Sequence, residues 1–325
     1  MQGRRQFLAA AAAGAATLAV PQKLRAQIAG TPLKIVFPFS AGGGGDAVCR
    51  LLGEHIGPAL AQPIVVENKT GADGRIGIQS VKNAPADGNT VLITTGPTMW
   101  LYPLIHANPG YDPHVDFAPI SQLCRFEFCV AVATTTGLTS MAEMAAWMKA
   151  NPEKAAYGVP GGGTIPHFTG ISLAKQIGVD MRRVPYRGGA PAINDLVGGQ
   201  IPVVIGTLSD ALQQHRAGTI RIIAVVSKTR SPFVPDIPTL SESGYTVVGE
   251  AWYGMWAPVK VAPARVAQIN AAVTAALGQA AVKARLETLG LIPAPGLPEG
   301  LTATMKADAG AWSPIIKESG FRMEN

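Results

Sequence analysis

Short runs of β-branched residues alternate with alanine-rich runs along most of this chain. The first kind of run is typical of buried strands, and the second places apolar residues at helical spacing. Ser140 and Glu143 have the spacing of a capping box that opens one helix, and Pro152 ends that helix. Repeated strand–helix alternation predicts an α/β fold. Further strands are predicted at 33–39, 63–68, 90–95, 155–159, 182–186, 202–206 and 220–227, and further helices at 46–60, 74–84, 167–178, 263–278 and 302–318.

The three cysteines, Cys49, Cys124 and Cys129, are an odd set. Cys124 and Cys129 lie in the alternating, strand-like run 122–134, in which residues five apart point to opposite faces. A disulfide between them would therefore break the strand. All three are predicted to be buried free thiols. Because no C-x-x-C or H-E-x-x-H spacing occurs, no metal site is predicted.

The amino terminus carries a pattern of its own, RRQFLAAAAAGAATLAV at residues 4–20. Adjacent arginines, a polar residue, Phe-Leu and a small-residue apolar run are typical of a twin-arginine export signal. An amphipathic helix is the alternative, and the run is too short and alanine-rich to span a bilayer comfortably. Residues 1–26 are predicted as a signal peptide cleaved after Ala26, although Leu24 departs from the usual small residue. The mature protein is then expected in the periplasm.

Composition limits the classes of partner. The predicted signal holds four of the 27 basic residues, which leaves 23 against 21 acidic ones in the mature chain. With that balance and no Lys/Arg cluster, no nucleic-acid partner is predicted. Apolar residues at 47% and charged residues at 15% are typical of a well-buried globular protein. The chain after cleavage is long enough for two domains.

Two strand–glycine–helix turns carry the candidate chemistry, KIVFPFSAGGGGDAVCR at 34–50 and YGVPGGGTIPHFTG at 157–170. Glycines let the backbone turn sharply and leave room for a ligand near the amide N–H groups. The helix start adds unpaired N–H donors and a positive dipole end, so both turns have anion-binding geometry. Two opposed turns could hold a carboxylate in a cleft between two domains. Asp46 is expected to cap the first helix, or else to contact a cationic part of the ligand or a bridging water.

The first turn also fits the dinucleotide-binding pattern G-x-G-x-x-A through Gly42, Gly44 and Ala47. Glu67 lies near the position of a ribose-binding acid. An exported oxidoreductase with a nucleotide cofactor is therefore the alternative function. Against it, Pro38 interrupts the first strand, and the second turn lacks the pattern. A third hypothesis is a structural or adhesive exported protein. In that case no ligand should stabilise the folded chain.

Eight motifs, in order along the chain, resemble those of one family and cover essentially the whole mature sequence. They are PFSAGGGGDAVCRLL at 38–52, PIVVENKTGADGRIG at 63–77, APADGNTVLITTG at 84–96, YDPHVDFAPIS at 111–121, YGVPGGGTIPH at 157–167, VPYRGGAPAINDLVGGQI at 184–201, SPFVPDIPTLSESGY at 231–245 and AWYGMWAP at 251–258. The chain is thereby similar to the substrate-binding receptors of tripartite tricarboxylate transporters, the Bug-type periplasmic solute-binding proteins.

The resemblance implies an α/β, two-domain periplasmic binding protein of the Venus-flytrap kind (type II-like) with an interdomain ligand cleft. Domain 1 is expected at 31–128 plus 254–325, and domain 2 at 129–253. It further implies a receptor that captures a small organic acid without covalent chemistry or cofactor. Its expected partners are the membrane permease subunits of a tripartite transporter or a membrane sensor. A monomer is expected.

The site residues that the resemblance implies fall on four segments. The first turn contributes Phe39, Ala41, Gly42 and Gly43, with Asp46 beside them; the second contributes Gly161, Gly162, Gly163 and Thr164, with His167 opening its helix; Gly96, Gly206 and Thr207 follow or end strands beside the cleft.

The chain departs from the family pattern in both turns. Gly45 stands where Thr or Ser is usual, and Val159, Pro160 and Gly162 replace Ser, Ala and Asn in the second turn. Because these changes remove hydroxyl and amide donors, a less polar or aromatic acid is expected in place of a common dicarboxylate.

Structural roles are expected for the other candidates. The histidines are scattered and no G-x-S-x-G motif occurs, so a hydrolase site is unsupported. The aromatic residues of AWYGMW at 251–256 are expected in a core or hinge, with aromatic contact to a ligand as the alternative. Arg187 is expected at the surface, the alternative being a second ligand carboxylate. Arg125 and Glu127 are expected to form a surface or hinge ion pair where the chain crosses between domains.

Overall fold

The computed structural model describes residues 30–247 and 249–322, so the predicted signal peptide lies outside the described residues. The strands are Leu33–Phe37 (β1), Ile64–Asn68 (β2), Thr90–Thr95 (β3), Phe117–Ala133 (β4), Ala156–Val159 (β5), Arg182–Pro185 (β6), Val203–Thr207 (β7), Ile220–Val225 (β8), Glu250–Pro258 (β9) and Leu291–Pro293 (β10). The α-helices are Gly44–Leu60 (α1), Arg75–Lys82 (α2), Gly96–Trp100 (α3), Tyr102–Ile105 (α4), Met141–Ala150 (α5), Ile165–Ile177 (α6), Gly189–Val197 (α7), Leu208–Arg216 (α8), Pro263–Gly278 (α9), Ala280–Thr288 (α10) and Pro298–Ser319 (α11).

The strands form one sheet in the order β2-β1-β3-β9-β4-β7-β5-β6, and β8 and β10 also pair with β4. Strand β4 belongs to two halves of this sheet. Its residues 117–127 pair with β9, and its residues 128–133 pair with β7 and β8. The first half therefore consists of β1, β2, β3, β9, β10 and residues 117–127, and the second half of β5, β6, β7, β8 and residues 128–133.

Each half contains parallel strands whose carboxyl ends meet at one edge. In the first half β1 pairs in parallel with β2 and β3, and in the second half β5 pairs in parallel with β6 and β7. Such pairs need a crossover connection, here a helix, and ligands of α/β sheets bind beyond the carboxyl ends of the strands. The pairing therefore brings the turn after β1 and the turn after β5 to edges of the sheet suited to a binding site.

Most predicted elements are confirmed within two residues. Strand β1 ends at Phe37 because Pro38 has no N–H to donate to the ladder. The capping box is confirmed at Ser140, whose Oγ accepts from the Glu143 N–H at 3.2 Å; the Glu143 carboxylate reaches back to the Thr139 N–H at 2.7 Å. Helix α10 and strand β10 were not predicted, and α11 begins at Pro298, four residues before the predicted start.

The three cysteines are buried free thiols, as predicted. Cys49 and Cys124 belong to a large apolar cluster around Trp256 and Tyr157, whereas Cys129 belongs to a smaller cluster that packs against the second half. Two cysteines of one strand thus lie in different clusters, which agrees with their predicted opposite faces.

The predicted ion pair between Arg125 and Glu127 is wrong. Among the described residues no ion pair joins them: Arg125 is exposed, whereas Glu127 is only 8% exposed. The Glu127 side chain lies near Ser227 and Ser231 instead, and burial raises the pKa of its carboxyl. Strand β4 changes partners just after this residue, between Glu127 and Phe128. The predicted domain boundaries, after 128 and after 253, stay predictions.

Within residues 30–247 and 249–322, no helix combines the length and the apolar character that crossing a bilayer requires.

We expect Asn270→Ala to lower the free energy of unfolding by about 1–3 kcal/mol. Asn270 is buried in α9, and its Nδ2 donates to the Ile120 carbonyl at 2.7 Å and to the Gly296 carbonyl at 2.9 Å. Alanine leaves both carbonyls without this donor. Urea unfolding followed by circular dichroism measures the change, with Thr274→Ala on the exposed face of the same helix as control. Equal stability of the two variants would contradict the role of Asn270.

Candidate functional site

A cavity lies between the two halves of the sheet. The turn after β1 and the starts of α1 and α3 border it from the first half, and the turn after β5 and the starts of α7 and α8 border it from the second. About 630 Å³ of space free of protein atoms, part of it open to solvent, lies between these elements.

Aromatic rings form much of the cavity wall. Phe37 and Phe39 meet edge to face with ring centroids 5.5 Å apart, and Phe126 stacks on Tyr253 at 4.6 Å. Phe128 adds a ring from the second half of the sheet. Such a wall favours a ligand with an apolar body, because each buried ring removes apolar surface from water and fixes the ligand by shape.

One buried hydroxyl of a wall residue has no hydrogen-bond partner among the described residues. Tyr102, on the short helix α4, is fully buried, and its hydroxyl has no hydrogen-bond partner among the described residues. Burial raises the pKa of Tyr102 well above its usual value, so the hydroxyl stays a neutral donor. By contrast, the nearby Thr98 hydroxyl donates to the Thr95 carbonyl at 2.7 Å. An unpaired polar group at this depth is costly unless a ligand or water pairs with it.

The first turn is held by Asp46. Gly42 adopts a left-handed φ of 91°, which favours glycine, and Gly43 is the N-cap of α1. The Asp46 carboxylate accepts from the Gly42 N–H at 3.1 Å, from Arg50 Nε at 3.0 Å and from Asn68 Nδ2 at 2.9 Å. Burial raises the pKa of Asp46, but these hydrogen bonds outweigh it and the pKa lies below its usual value. Asp46 lies in the first turn of α1 and fixes the preceding turn through Gly42, but no side-chain hydrogen bond caps the helix, and Asp46 does not line the cavity.

A second aspartate, Asp210 of α8, contacts the start of α1. It belongs to the second half of the sheet, whereas α1 belongs to the first. Its Oδ1 accepts from the Gly44 N–H at 2.7 Å, and its Oδ2 accepts from the Thr207 hydroxyl. A Cβ at Gly43 would lie 3.1 Å from Oδ1, and a Cβ at Gly189 would overlap the carboxylate. The Asp210 carboxylate therefore fills the space that the missing side chains of Gly43 and Gly189 leave. Burial raises the pKa of Asp210.

The second turn is built the same way. Its Gly162 N–H donates to Asp73 of the first half at 3.4 Å, and its Gly163 N–H donates to His167 Nδ1 at 3.1 Å. Thr164 is the N-cap of α6, and its hydroxyl oxygen accepts from the His167 N–H at 3.4 Å. Each turn therefore gives one amide N–H to an aspartate from the opposite half of the sheet.

His167 is part of the frame of the second turn. Burial, with a smaller effect of Arg183, lowers the pKa of its imidazole to about 4, so the ring is neutral near pH 7. The acceptor role of Nδ1 requires this neutral form. The ring packs on Phe168 and, edge to face, on Phe321. His167 does not line the cavity.

The structure divides the predicted site residues into two groups. The residues that line the cavity are Phe39, Gly43, Thr164 and Thr207, and those that do not are Ala41, Gly42, Asp46, Gly96, Gly161, Gly162, Gly163, His167 and Gly206. Packing explains several of the second group. Ala41 and Gly42 are exposed, a Cβ at Gly96 would overlap the Trp252 indole, and Gly206 pairs with Cys129 inside the sheet.

Several cavity residues were not predicted. Tyr102, Phe126 and Asp210 carry no local sequence signal, because only the folded chain brings them to the two turns. Gly188 and Gly189 could have been predicted as cavity residues from the sequence. They follow a strand and begin a helix, as the glycines of the other two turns do. Arg187 before them is exposed, as expected, and its carbonyl accepts from Ser40 Oγ at 2.5 Å across the cavity.

The residues of the dinucleotide pattern have other partners. Glu67 pairs with Lys34 at 3.0 Å and with Lys69 at 3.6 Å, and the space above Gly44 is taken by Asp210 and by Ser209. In the part of the chain that the structure describes, no three His, Cys, Asp or Glu side chains come together as metal ligands would.

Known proteins share both the fold and the sequence pattern. The periplasmic binding protein BugD is 33% identical, with a TM-score of 0.86 over 90% of this chain and 99% of that chain. An R. palustris protein solved with adipate is 29% identical, with a TM-score of 0.86 over 90% and 98%. A protein of the tcbD–tcbE intergenic region of Pseudomonas sp. (strain P51) is 30% identical over 323 residues, covering 97% of this chain and 94% of its own length.

These likenesses define the class: the chain has the two-domain α/β fold of periplasmic binding proteins, as predicted. The sequence pattern described as "Tripartite tricarboxylate transporter family receptor" matches residues 48–321. The chain therefore belongs to this receptor family. The family and the solved relatives are binding proteins, and the oxidoreductase alternative gains no support from them.

We expect His167→Asn to reduce the loss of stability in acid. Because the imidazole pKa is about 4 in the fold and about 6.5 when unfolded, the unfolded chain binds more protons between these values. The stabilisation by neutral His167 is complete above about pH 6.5 and is lost as the pH falls towards 4, a loss of about 2–3 kcal/mol. The asparagine Oδ1 can still accept from Gly163 and does not titrate.

Urea unfolding between pH 4 and pH 7 measures this difference from the wild type. His114→Asn, at an exposed position, is the control and should follow the wild-type profile. A His167→Asn profile as steep as that of the wild type would contradict the assignment.

Proposed function

We propose that this chain is a periplasmic receptor that captures a small organic acid with an apolar body, such as an aromatic ring, in the cavity between the two halves. The aromatic wall with one unpaired hydroxyl is the observation that carries this proposal. Family membership and the adipate in the R. palustris relative support an organic acid as ligand, and the apolar body rests on the aromatic wall alone. No covalent chemistry and no cofactor belong to the proposal.

The proposed ligand geometry follows from the wall. The rings of Phe39, Phe126 and Phe128 bury the apolar body, at about 25 cal/mol for each Å² removed from water. The Tyr102 hydroxyl donates a hydrogen bond to the ligand carboxylate. Thr164 completes the contact surface from the second turn. The predicted residues outside the wall act by shaping the two turns.

Export and partners complete the proposal. Residues 1–26 direct the chain to the periplasm through the twin-arginine pathway. There the monomeric receptor closes domain 2, residues 129–253, onto domain 1 around the acid. It then delivers the acid to the permease subunits of a tripartite transporter or to a membrane sensor.

Thermal unfolding of the mature chain with added acids tests the proposed function. Benzoate and hexanoate should raise Tm more than succinate and citrate, because only the first two present an apolar body with one carboxylate. A ligand tenfold above its Kd stabilises by about 1.4 kcal/mol, which a melt resolves. Greater stabilisation by succinate or citrate would overturn the ligand class. A bound nucleotide in native mass spectrometry would favour the oxidoreductase instead.

We expect Tyr102→Phe to weaken binding of the preferred acid by about tenfold to a hundredfold. A hydrogen bond to a charged group contributes about 1.5–3 kcal/mol, and phenylalanine keeps the ring while removing the donor. Stability without ligand should not fall, since the hydroxyl has no partner among the described residues. Isothermal titration calorimetry measures Kd, with Tyr245→Phe outside the cavity as control. Equal affinities of both variants would show that Tyr102 does not bind the carboxylate.

A further inference from the structure

Asp210 places a carboxylate in the wall of the cavity. It lines the cavity while its two oxygens accept from the Gly44 N–H and the Thr207 hydroxyl. Gly189 packs so closely that any side chain there would overlap the carboxylate. No ion pair joins Asp210 to a lysine or arginine in the described ranges. The cavity wall therefore contains the Asp210 carboxylate, which two hydrogen bonds hold in place and which has no paired cation among the described residues.

This carboxylate lies where an anionic ligand group would otherwise bind. The amino-terminal end of α1, a helix of 17 residues, offers backbone N–H donors and the positive end of the helix dipole. Asp210 already uses the Gly44 donor and the adjacent Thr207 hydroxyl. A ligand carboxylate placed beside it would meet a like charge in a site shielded from water, where repulsion is strong.

We propose that Asp210 is a specificity-determining residue that restricts this receptor to acids with a single carboxylate and excludes dicarboxylates of the same length. This inference rests on the proposed function, because it presumes that an organic acid enters the cavity. Asp210 acts on the far group of the ligand, whereas Tyr102 binds the carboxylate that every such acid carries.

Hexanoate and adipate test the proposal, because they have the same carbon chain and differ only in the second carboxylate. Calorimetry on the mature chain gives the ratio of their Kd values. The wild type should bind hexanoate at least tenfold more tightly than adipate. Asp210→Asn should shift that ratio at least tenfold towards adipate, since the amide removes the charge, keeps an acceptor for Gly44 and can donate to Thr207.

Two further variants keep the test decisive. Asp210→Ser also removes the charge and should shift the ratio in the same direction, and it serves if the asparagine variant folds poorly. Ser209→Ala is the control: Ser209 is next to Asp210 but does not line the cavity, so the ratio should stay that of the wild type. Melting curves establish that each variant is folded.

The outcomes separate the two proposals. A wild type that binds adipate as tightly as hexanoate overturns the role of Asp210 without any variant, while the receptor function stands. Binding of both acids with an unchanged ratio in the neutral variants does the same. Failure of hexanoate, benzoate and adipate to bind the wild type overturns the proposed ligand class and, with it, this inference.

Discussion

Hydrogen bonds to two aspartates tie each glycine turn to the opposite half of the sheet. The Gly44 N–H donates to Asp210, and the Gly162 N–H donates to Asp73, so each turn is satisfied by a carboxylate from the opposite half of the sheet. Gly44 is the first residue of α1, so its N–H has no partner inside the helix, whereas Gly162 lies in the turn before the N-cap of α6. Together with the hydrogen bond from the Ser40 hydroxyl to the Arg187 carbonyl, these bonds join the two halves beside the turns.

This arrangement changes the chemistry expected from a pair of anion-binding turns. Carboxylates of the protein occupy two of the amide donors in the turns, and aromatic rings supply a large share of the cavity wall. The unpaired Tyr102 hydroxyl remains as a buried polar group of a wall residue. A site with an apolar wall and few polar groups gains affinity mainly from buried apolar area.

The sequence predicts the elements and the turns well because their signals are local. Strand and helix periods, the capping box at Ser140 and the glycine runs can each be recognised within a few residues. The occupant of the first turn could not be predicted, since Asp210 lies 166 positions from Gly44 and meets it only after the sheet has formed. The same holds for Tyr102, on a short helix that no pattern distinguishes. At Gly96 the local signal is misleading. The glycine after a strand suggests ligand contact, but the space left by its missing side chain is filled by the Trp252 indole.

Strand β4 runs without a break through both halves of the sheet for 17 residues. Any separation of the halves must therefore bend or twist this strand instead of swinging on a loose linker. Phe126 and Phe128 flank the crossing point, and alternation along a strand turns both rings to the same face, into the cavity. The two rings meet edge to face with centroids 5.4 Å apart, so a bend of β4 at this point would also move apart two aromatic rings of the cavity wall.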